Sequence, residues 1–319
     1  MFLSIIFIII GFVLLIKGAD FLVDGASSVA KRFKIPEIII GLTIVSMGTS
    51  MPELFVSVTS ALNGSADMAI GNIIGSNICN LLLILGLSAF IRPVRFQRET
   101  RLIEIPICLA ITIIFTIFCN TDGIISQIEG IILIVLFLMF IIYTIIMSKK
   151  GMQFDKEDGN EEIEEKSNPL SITKSILFII LGIVGLKIGG DLTVDNATNI
   201  ARMFNVSEKI IGLTILAVGT SLPELVTSVT AAIKGNSDIA IGNIVGSNIF
   251  NILFILGVSA VIVPLSYNFS YNIQMVILMI ATIVLALFPA IPPKNEMSRM
   301  NGLIYFIMYI AYLAMLFII

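Results

Sequence analysis

The chain has 319 residues, of which 57% are hydrophobic and only 13% charged, with a formal net charge of −3 and a mean hydropathy of +1.04. That balance excludes a water-soluble globule hiding its apolar residues in one core, and it identifies a polytopic membrane protein. Histidine is absent, which excludes His-ligated zinc, Ser-His or Cys-His nucleophilic catalysis and a histidine proton relay.

Ten apolar segments of spanning length follow one another, at about 2–33, 36–61, 67–91, 102–119, 125–148, 173–203, 207–233, 238–264, 272–290 and 300–318. The first has no Lys or Arg before Lys17, so it lacks the basic start of a cleavable leader and reads as a spanning helix. As a helix of about 32 residues it would run roughly 48 Å, more than the hydrocarbon core, and must tilt or protrude. It carries Lys17, Asp20 and Asp24, and the sixth segment carries Lys187, Asp191 and Asp195. In the first segment, spacings of three and four put the three groups on one face; in both segments local ion pairing near a membrane interface is the expectation, with a role in gating or ion entry as the alternative.

The second segment contains Gly48-Thr49-Ser50-Met51-Pro52-Glu53. A carboxylate at mid-membrane costs about 2.5–3.5 kcal/mol even on lenient insertion scales, so Glu53 needs a reason. Pro52 has no N–H, and its ring displaces the carbonyl of Gly48, so the helix must kink or break there. Backbone carbonyls, the hydroxyls of Thr49 and Ser50 and the Glu53 carboxylate are then bare together. Irregular backbone at that depth belongs in a protein-walled cavity, and an all-oxygen lining suits hard cations such as calcium and sodium. Thr49, Glu53 and Ser57 fall on one helical face. In the third segment Asn72, Ser76 and Asn80 repeat that spacing, so two polar stripes can face each other. Asn72 and Asn77 serve equally well as interhelical glue, with Gly71 and Gly75 permitting close approach.

The fourth and fifth segments read as scaffold, with Glu104 and Glu129 near their ends. Cys79, Cys108 and Cys119 lie in apolar segments without a ligand spacing and read as small core residues. Residues 149–172 form the one long polar connector, carrying seven carboxylates between Asp155 and Glu165. It lacks the ligand alternation and loop glycine of a calcium hand and reads as a solvated, disordered cytoplasmic linker.

From the sixth segment on, the chain repeats itself. Shifted by 171 residues, Gly41–Asn80 and Gly212–Asn251 agree without gaps at 26 of 40 positions, and Gly219-Thr220-Ser221-Leu222-Pro223-Glu224 returns the first signature. Ser228, Asn243, Ser247, Asn248 and Asn251 are the remaining counterparts. Five segments precede the duplication, an odd number, so the second copy enters the membrane from the opposite side, as in many secondary transporters with a site at the repeat interface. The domains are therefore 1–148, the linker 149–172, and 173–319. Pro289, Pro292 and Pro293 mark a short turn before the last segment. With the amino terminus outside, inner connectors hold 15 Lys and Arg while outer ones hold only Arg202 and Lys209; that bias places both termini outside and the linker in the cytoplasm of a plasma-membrane protein.

The paired G-T-S-x-P-E and G-N-I-x-G-S-N-I-x-N motifs, in two inverted halves, resemble the alpha repeats of the calcium/cation antiporter superfamily, and within it the prokaryotic sodium/calcium exchangers, including those akin to the potassium-dependent branch. The resemblance spans essentially the whole chain. It implies an all-α membrane protein of ten transmembrane helices in two inverted five-helix repeats, with helices two, three, seven and eight broken and helices one and six sliding across the core. It further implies that Glu53 and Glu224 are the central carboxylates shared by calcium and sodium, flanked by oxygens of Thr49, Thr220, Ser50 and Ser221. The carbonyls of Ser46 and Ala217 and the side chains of Ser76 and Ser247 would complete sodium sites, with Asn80 and Asn251 at the centre. Many relatives carry Asp where this chain has Asn251, so here the two glutamates alone give the site a formal charge of −2; potassium coupling stays open. Proton-coupled relatives typically carry G-N-x-x-E in place of G-T-S-M-P-E, which favours sodium over protons. The expected function is antiport, not catalysis, with calcium, sodium and the bilayer as partners, no resident cofactor, no nucleic acid, and a functional monomer. The rivals are a proton-coupled exchanger, a cation channel and an intramembrane hydrolase using the two glutamates.

Overall fold

Inside a bilayer the backbone has no water to bond, so each spanning segment must close its own hydrogen bonds, and long apolar runs fold as helices. The computed structural model describes residues 1–154, 169–205, 217–290, 292 and 294–318. In chain order the helices are α1 (Phe2–Phe33), α2 (Glu37–Thr49), α3 (Met51–Leu62), α4 (Ala66–Ile91), α5 (Thr100–Thr121), α6 (Gln127–Phe154), α7 (Ile172–Met203), α8 (Leu222–Lys234), α9 (Ser237–Ile262), α10 (Phe269–Ala290) and α11 (Arg299–Ile318). Among the described residues eight helices are long and apolar enough to cross a membrane, and α2 with α3 makes a ninth span bent by 49°. The chain is a mostly helical protein of membrane type. Of the seventh predicted segment, 207–216 lies outside the described residues, as does the acidic run Asp155–Glu165.

One expectation about helix breaks needs correcting. The second segment breaks as predicted at Ser50, but α4 and α9 are continuous. Neither contains a proline, so nothing removes a backbone donor. Each instead widens into a π-helical stretch, Cys79–Leu85 in α4 and Asn251–Leu256 in α9. Such bulges insert one residue per turn and re-aim side chains without severing the helix.

α4 and α9 form the centre, with most of each span enclosed by protein. Around them α1 and α7 lie side by side along their full length. That approach depends on glycine: a Cβ on Gly18 would sit 2.8 Å from the backbone nitrogen of Leu186, and one on Gly182 only 2.7 Å from that of Leu22. Two short antiparallel strand pairs tie connectors together: β1 (Val94–Arg95) with β4 (Glu296–Met297), and β2 (Ile124–Ile125) with β3 (Leu265–Ser266). Each pair joins connectors that the charge bias assigns to one face of the membrane. Cys79, Cys108 and Cys119 are buried and free.

The local ion pairing expected on the two long helices is present as Lys17–Asp20 at 3.7 Å and Lys187–Asp191 at 2.7 Å. The first helix has a further partner. Lys234, ending α8, reaches Asp24 Oδ1 at 2.7 Å and Asp20 Oδ1 at 3.1 Å. The residue 171 positions earlier is Asn63, so the duplicated half has no equivalent cation there. These groups are partly exposed, and screening limits their worth. Lys234→Asn is expected to remove about 0.5–1 kcal/mol and lower the melting temperature in nanodiscs by about 1–2 °C. An unchanged melting curve would show that the cluster contributes nothing.

Candidate functional site

Pro52 is the second residue of α3 and Pro223 the second of α8. Without their N–H groups the carbonyls of Gly48 and Gly219 lose their helical partners, and new helices start at Met51 and Leu222, preceded by Ser50 and Ser221 in non-helical geometry (φ −84° and −89°). Glu53 and Glu224 thus fall in the first turn of a helix that begins inside the membrane. There the unpaired N–H groups and the helix dipole favour negative charge. The sequence selects a place where a buried carboxylate is least costly.

Both carboxylates are 1% exposed, and each is held by the other half of the chain. Ser50 Oγ donates to Glu224 Oε1 at 2.7 Å, and Ser221 Oγ donates to Glu53 Oε1 at 3.2 Å. Ser76 Oγ stands 3.5 Å from Glu53 Oε1, and the hydroxyls of Ser50 and Ser247 are 3.0 Å apart. Thr49 Oγ1 donates to Asn243 Oδ1 at 3.0 Å. The Ser46 hydroxyl is turned back on Leu42 O at 2.9 Å, while its carbonyl accepts from Ser50 N at 3.0 Å. Ala217 lies in the helical turn Ala217–Gly219 just before the break, next to residues outside the described ones. Asn80 and Asn251 lie one turn beyond Ser76 and Ser247 on the same faces, both buried, at the π-helical stretches.

Of the residues named from sequence, Ser50, Glu224 and Ser247 are therefore joined in one hydrogen-bonded cluster and Ser221, Glu53 and Ser76 in another, and Thr49 reaches the backbone carbonyl of Glu224 through Asn243. Glu53 Oε2, Glu224 Oε2, Asn80 Oδ1, Asn251 Oδ1 and Thr220 Oγ1 are buried with no hydrogen-bond partner. A buried acceptor left bare costs about 1–3 kcal/mol, more if charged, so such a set calls for a positive ligand. Among the described residues no group of three His, Cys, Asp or Glu gathers, so thiolate and imidazole sites are absent from them. The donors are two carboxylates, amide oxygens and hydroxyls, the ligand set of hard, weakly discriminating cations.

Residues whose role the sequence left open also find places. Asn72 Nδ2 donates to Ser57 Oγ at 3.0 Å and Asn243 Nδ2 to Ser228 Oγ at 2.9 Å, each pinning its signature helix to α4 or α9. Asn77 and Asn248 cross-link α4 to α9, with Asn77 Nδ2 on Asn248 O at 3.3 Å and Asn248 Nδ2 on Asn77 O at 3.2 Å. Only their shared offset of 171 hinted at that pairing.

Comparison with known proteins gives the same direction. The pattern described as Sodium/calcium exchanger protein matches residues 3–146 and 174–318. The chain is 38% identical to the Putative antiporter CaxA of Alkalimonas amylolytica over 99% of both chains. It is 31% identical to the Sodium/calcium exchanger MaX1 of Methanosarcina acetivorans over 98% of both. Its fold superimposes on that of the sodium-calcium exchanger NCX_Mj, soaked with sodium and calcium, with a TM-score of 0.84 at 33% identity and 98% coverage of each chain. With both halves matched, and the signature carboxylates buried between them, the chain belongs to the sodium/calcium exchanger family.

Proposed function

We propose that the chain exchanges calcium for sodium across the plasma membrane by alternating access, through one oxygen-lined site shared by the two ions. The observation that carries this reading is the reciprocal seating of Glu53 and Glu224, each with a second carboxylate oxygen that is buried and bare. In this reading Glu53 and Glu224 bind the divalent ion. Oxygens of Thr49, Thr220, Ser50 and Ser221 flank it, Ser46, Ala217, Ser76 and Ser247 complete sodium sites, and Asn80 and Asn251 sit at the centre. Two glutamates balance one calcium ion, whereas sodium ions need several sites for a similar balance, so joint tight occupancy is electrostatically disfavoured and exchange follows. The ten-helix, twofold-repeated architecture is part of the proposal, with 207–233 as the tenth span. It is supported by contacts that recur at an offset of 171, such as Ser50–Glu224 with Ser221–Glu53. Both termini face outside, the acidic connector lies in the cytoplasm, the monomer suffices, and potassium is an admissible co-ion.

At three sodium ions per calcium, a tenfold sodium gradient supplies about 4.1 kcal/mol and the net charge about 2.3 kcal/mol per 100 mV. Together these hold a calcium gradient on the order of ten to the fourth. The test is radiolabelled calcium uptake into sodium-loaded proteoliposomes, with external sodium, potassium and pH varied in turn. Uptake is expected to require internal sodium and to be abolished by equal external sodium. Uptake driven by a pH gradient without sodium would make the proton the coupling ion, and a non-saturating, sodium-independent flux would make the protein a channel.

A further inference from the structure

The four asparagines between α4 and α9 have amide orientations fixed by chemistry. Backbone carbonyls can only accept, so the contacts of Asn77 with Asn248 O and of Asn248 with Asn77 O must both be made by Nδ2. Their Oδ1 atoms then face the other way, and each receives one more amide. Asn80 Nδ2 donates to Asn248 Oδ1 at 3.0 Å, and Asn251 Nδ2 donates to Asn77 Oδ1 at 2.9 Å. A flip at Asn80 or Asn251 would set two acceptors against each other, and all four side chains are at most 1% exposed. The remaining atoms, Asn80 Oδ1 and Asn251 Oδ1, are the ones left buried and bare.

We propose that Asn77 and Asn248 are positioning residues, which hold the amides of Asn80 and Asn251 so that both present a neutral carbonyl oxygen to the cation. The proposal rests on the ion site described above and deepens it. It also explains why an amide suits position 251 in this chain. The substitution Asn251→Asp, if ionised, would direct a negative oxygen at Asn77 Oδ1, an acceptor that cannot turn without surrendering its bond to Asn248 O. The ring therefore commits the site to two charges from Glu53 and Glu224 and to uncharged donors beside them. Because Asn77 serves Asn251 and Asn248 serves Asn80, each half of the chain sets a ligand of the other.

The test is a double-mutant cycle on calcium affinity, read by calorimetric titration of the full-length protein in nanodiscs. Asn251→Ala is expected to weaken calcium binding by about tenfold or more, Asn77→Ala by about tenfold, and the double variant no further than Asn251→Ala alone. Additive losses in the double variant would overturn the proposal, because Asn77 would then act independently of Asn251. Should Asn77→Ala not fold, Asn77→Ser with Asn251→Ala, and Asn248→Ser with Asn80→Ala, form equivalent cycles. Unchanged affinity in both Asn251→Ala and Asn80→Ala would take the two asparagines out of the proposed ion site and the positioning role with them. That outcome is distinct from an additive cycle, which leaves the ion site standing.

Discussion

Glu53→Gln and Glu224→Gln are each expected to reduce sodium-driven calcium uptake on the order of 100-fold or more while leaving a folded protein. Glutamine keeps the shape and one acceptor, so Ser221 can still donate at position 53 and Ser50 at position 224. What changes is the bare Oε2, which becomes an NH₂ aimed where the cation would sit. One carboxylate then faces a doubly charged ion in a place without solvent, and breaking such a buried pairing costs about 3–5 kcal/mol. Stability should move the other way. Calcium, bound only by the folded form, is expected to raise the melting temperature of the native chain, and that rise should vanish in both variants. The calcium-free variants should melt no lower than the native chain, because an uncompensated buried charge has been removed. Near-native exchange in either variant would refute the assignment of the two glutamates. A calcium-free variant that melts far lower would instead mark the carboxylate as structural.

The two substitutions should not add. Ser50, Glu224 and Ser247 meet around one carboxylate and Ser221, Glu53 and Ser76 around the other, and in the proposed site both serve one ion. Once either glutamate is neutral the ion is already lost, so the double variant should transport no worse than the weaker single one.

Much of this site could be read from the amino-acid sequence because its causes are local. A proline four residues after a glycine severs one particular hydrogen bond, and a carboxylate one residue later falls in the first turn of the next helix, wherever the rest of the chain goes. The long apolar helices could be read for a similar reason, since apolar length is a property of the run itself. What escaped the sequence depends on distant partners. Asn77 and Asn248 look like interchangeable polar residues on two membrane helices, and only their meeting, 171 residues apart, shows that each grips the other's carbonyl. Lys234 likewise carries no sign that it will reach across to Asp20 and Asp24. The unbroken course of α4 and α9 departs from the breaks that the family resemblance implies, because without a proline the helix widens instead of parting.

Gly246→Ala is expected to lower exchange by about 10- to 100-fold through displacement alone, without touching a charged group. α2 and α9 meet at backbone contact: a Cβ on Gly246 would lie 2.7 Å from both Leu42 O and Ser46 Oγ and 2.8 Å from Leu42 Cα. A Cβ on Gly242, one turn earlier, would lie 2.7 Å from Ile38 O. None of these neighbours is the free end of a flexible side chain. Leu42 O is backbone inside a helix, and the Ser46 hydroxyl is already bonded to it. Two close-packed helices cannot absorb a methyl group without moving apart, and such overpacking costs about 1–3 kcal/mol. The movement falls on the signature. α2 ends in Ser46, Thr49 and the hinge at Ser50, while α9 carries the Asn243 and Ser247 that they contact. A separation on the order of 1 Å stretches the Thr49–Asn243 and Ser50–Ser247 contacts together and shifts Ser50 from Glu224, which is enough to spoil a ligand cage. The expected readout is a rise in the sodium and calcium concentrations needed for half-maximal exchange, together with a lower melting temperature, both larger for Gly246→Val. Native affinities in Gly246→Ala would mean that the approach of α2 to α9 does not set the site.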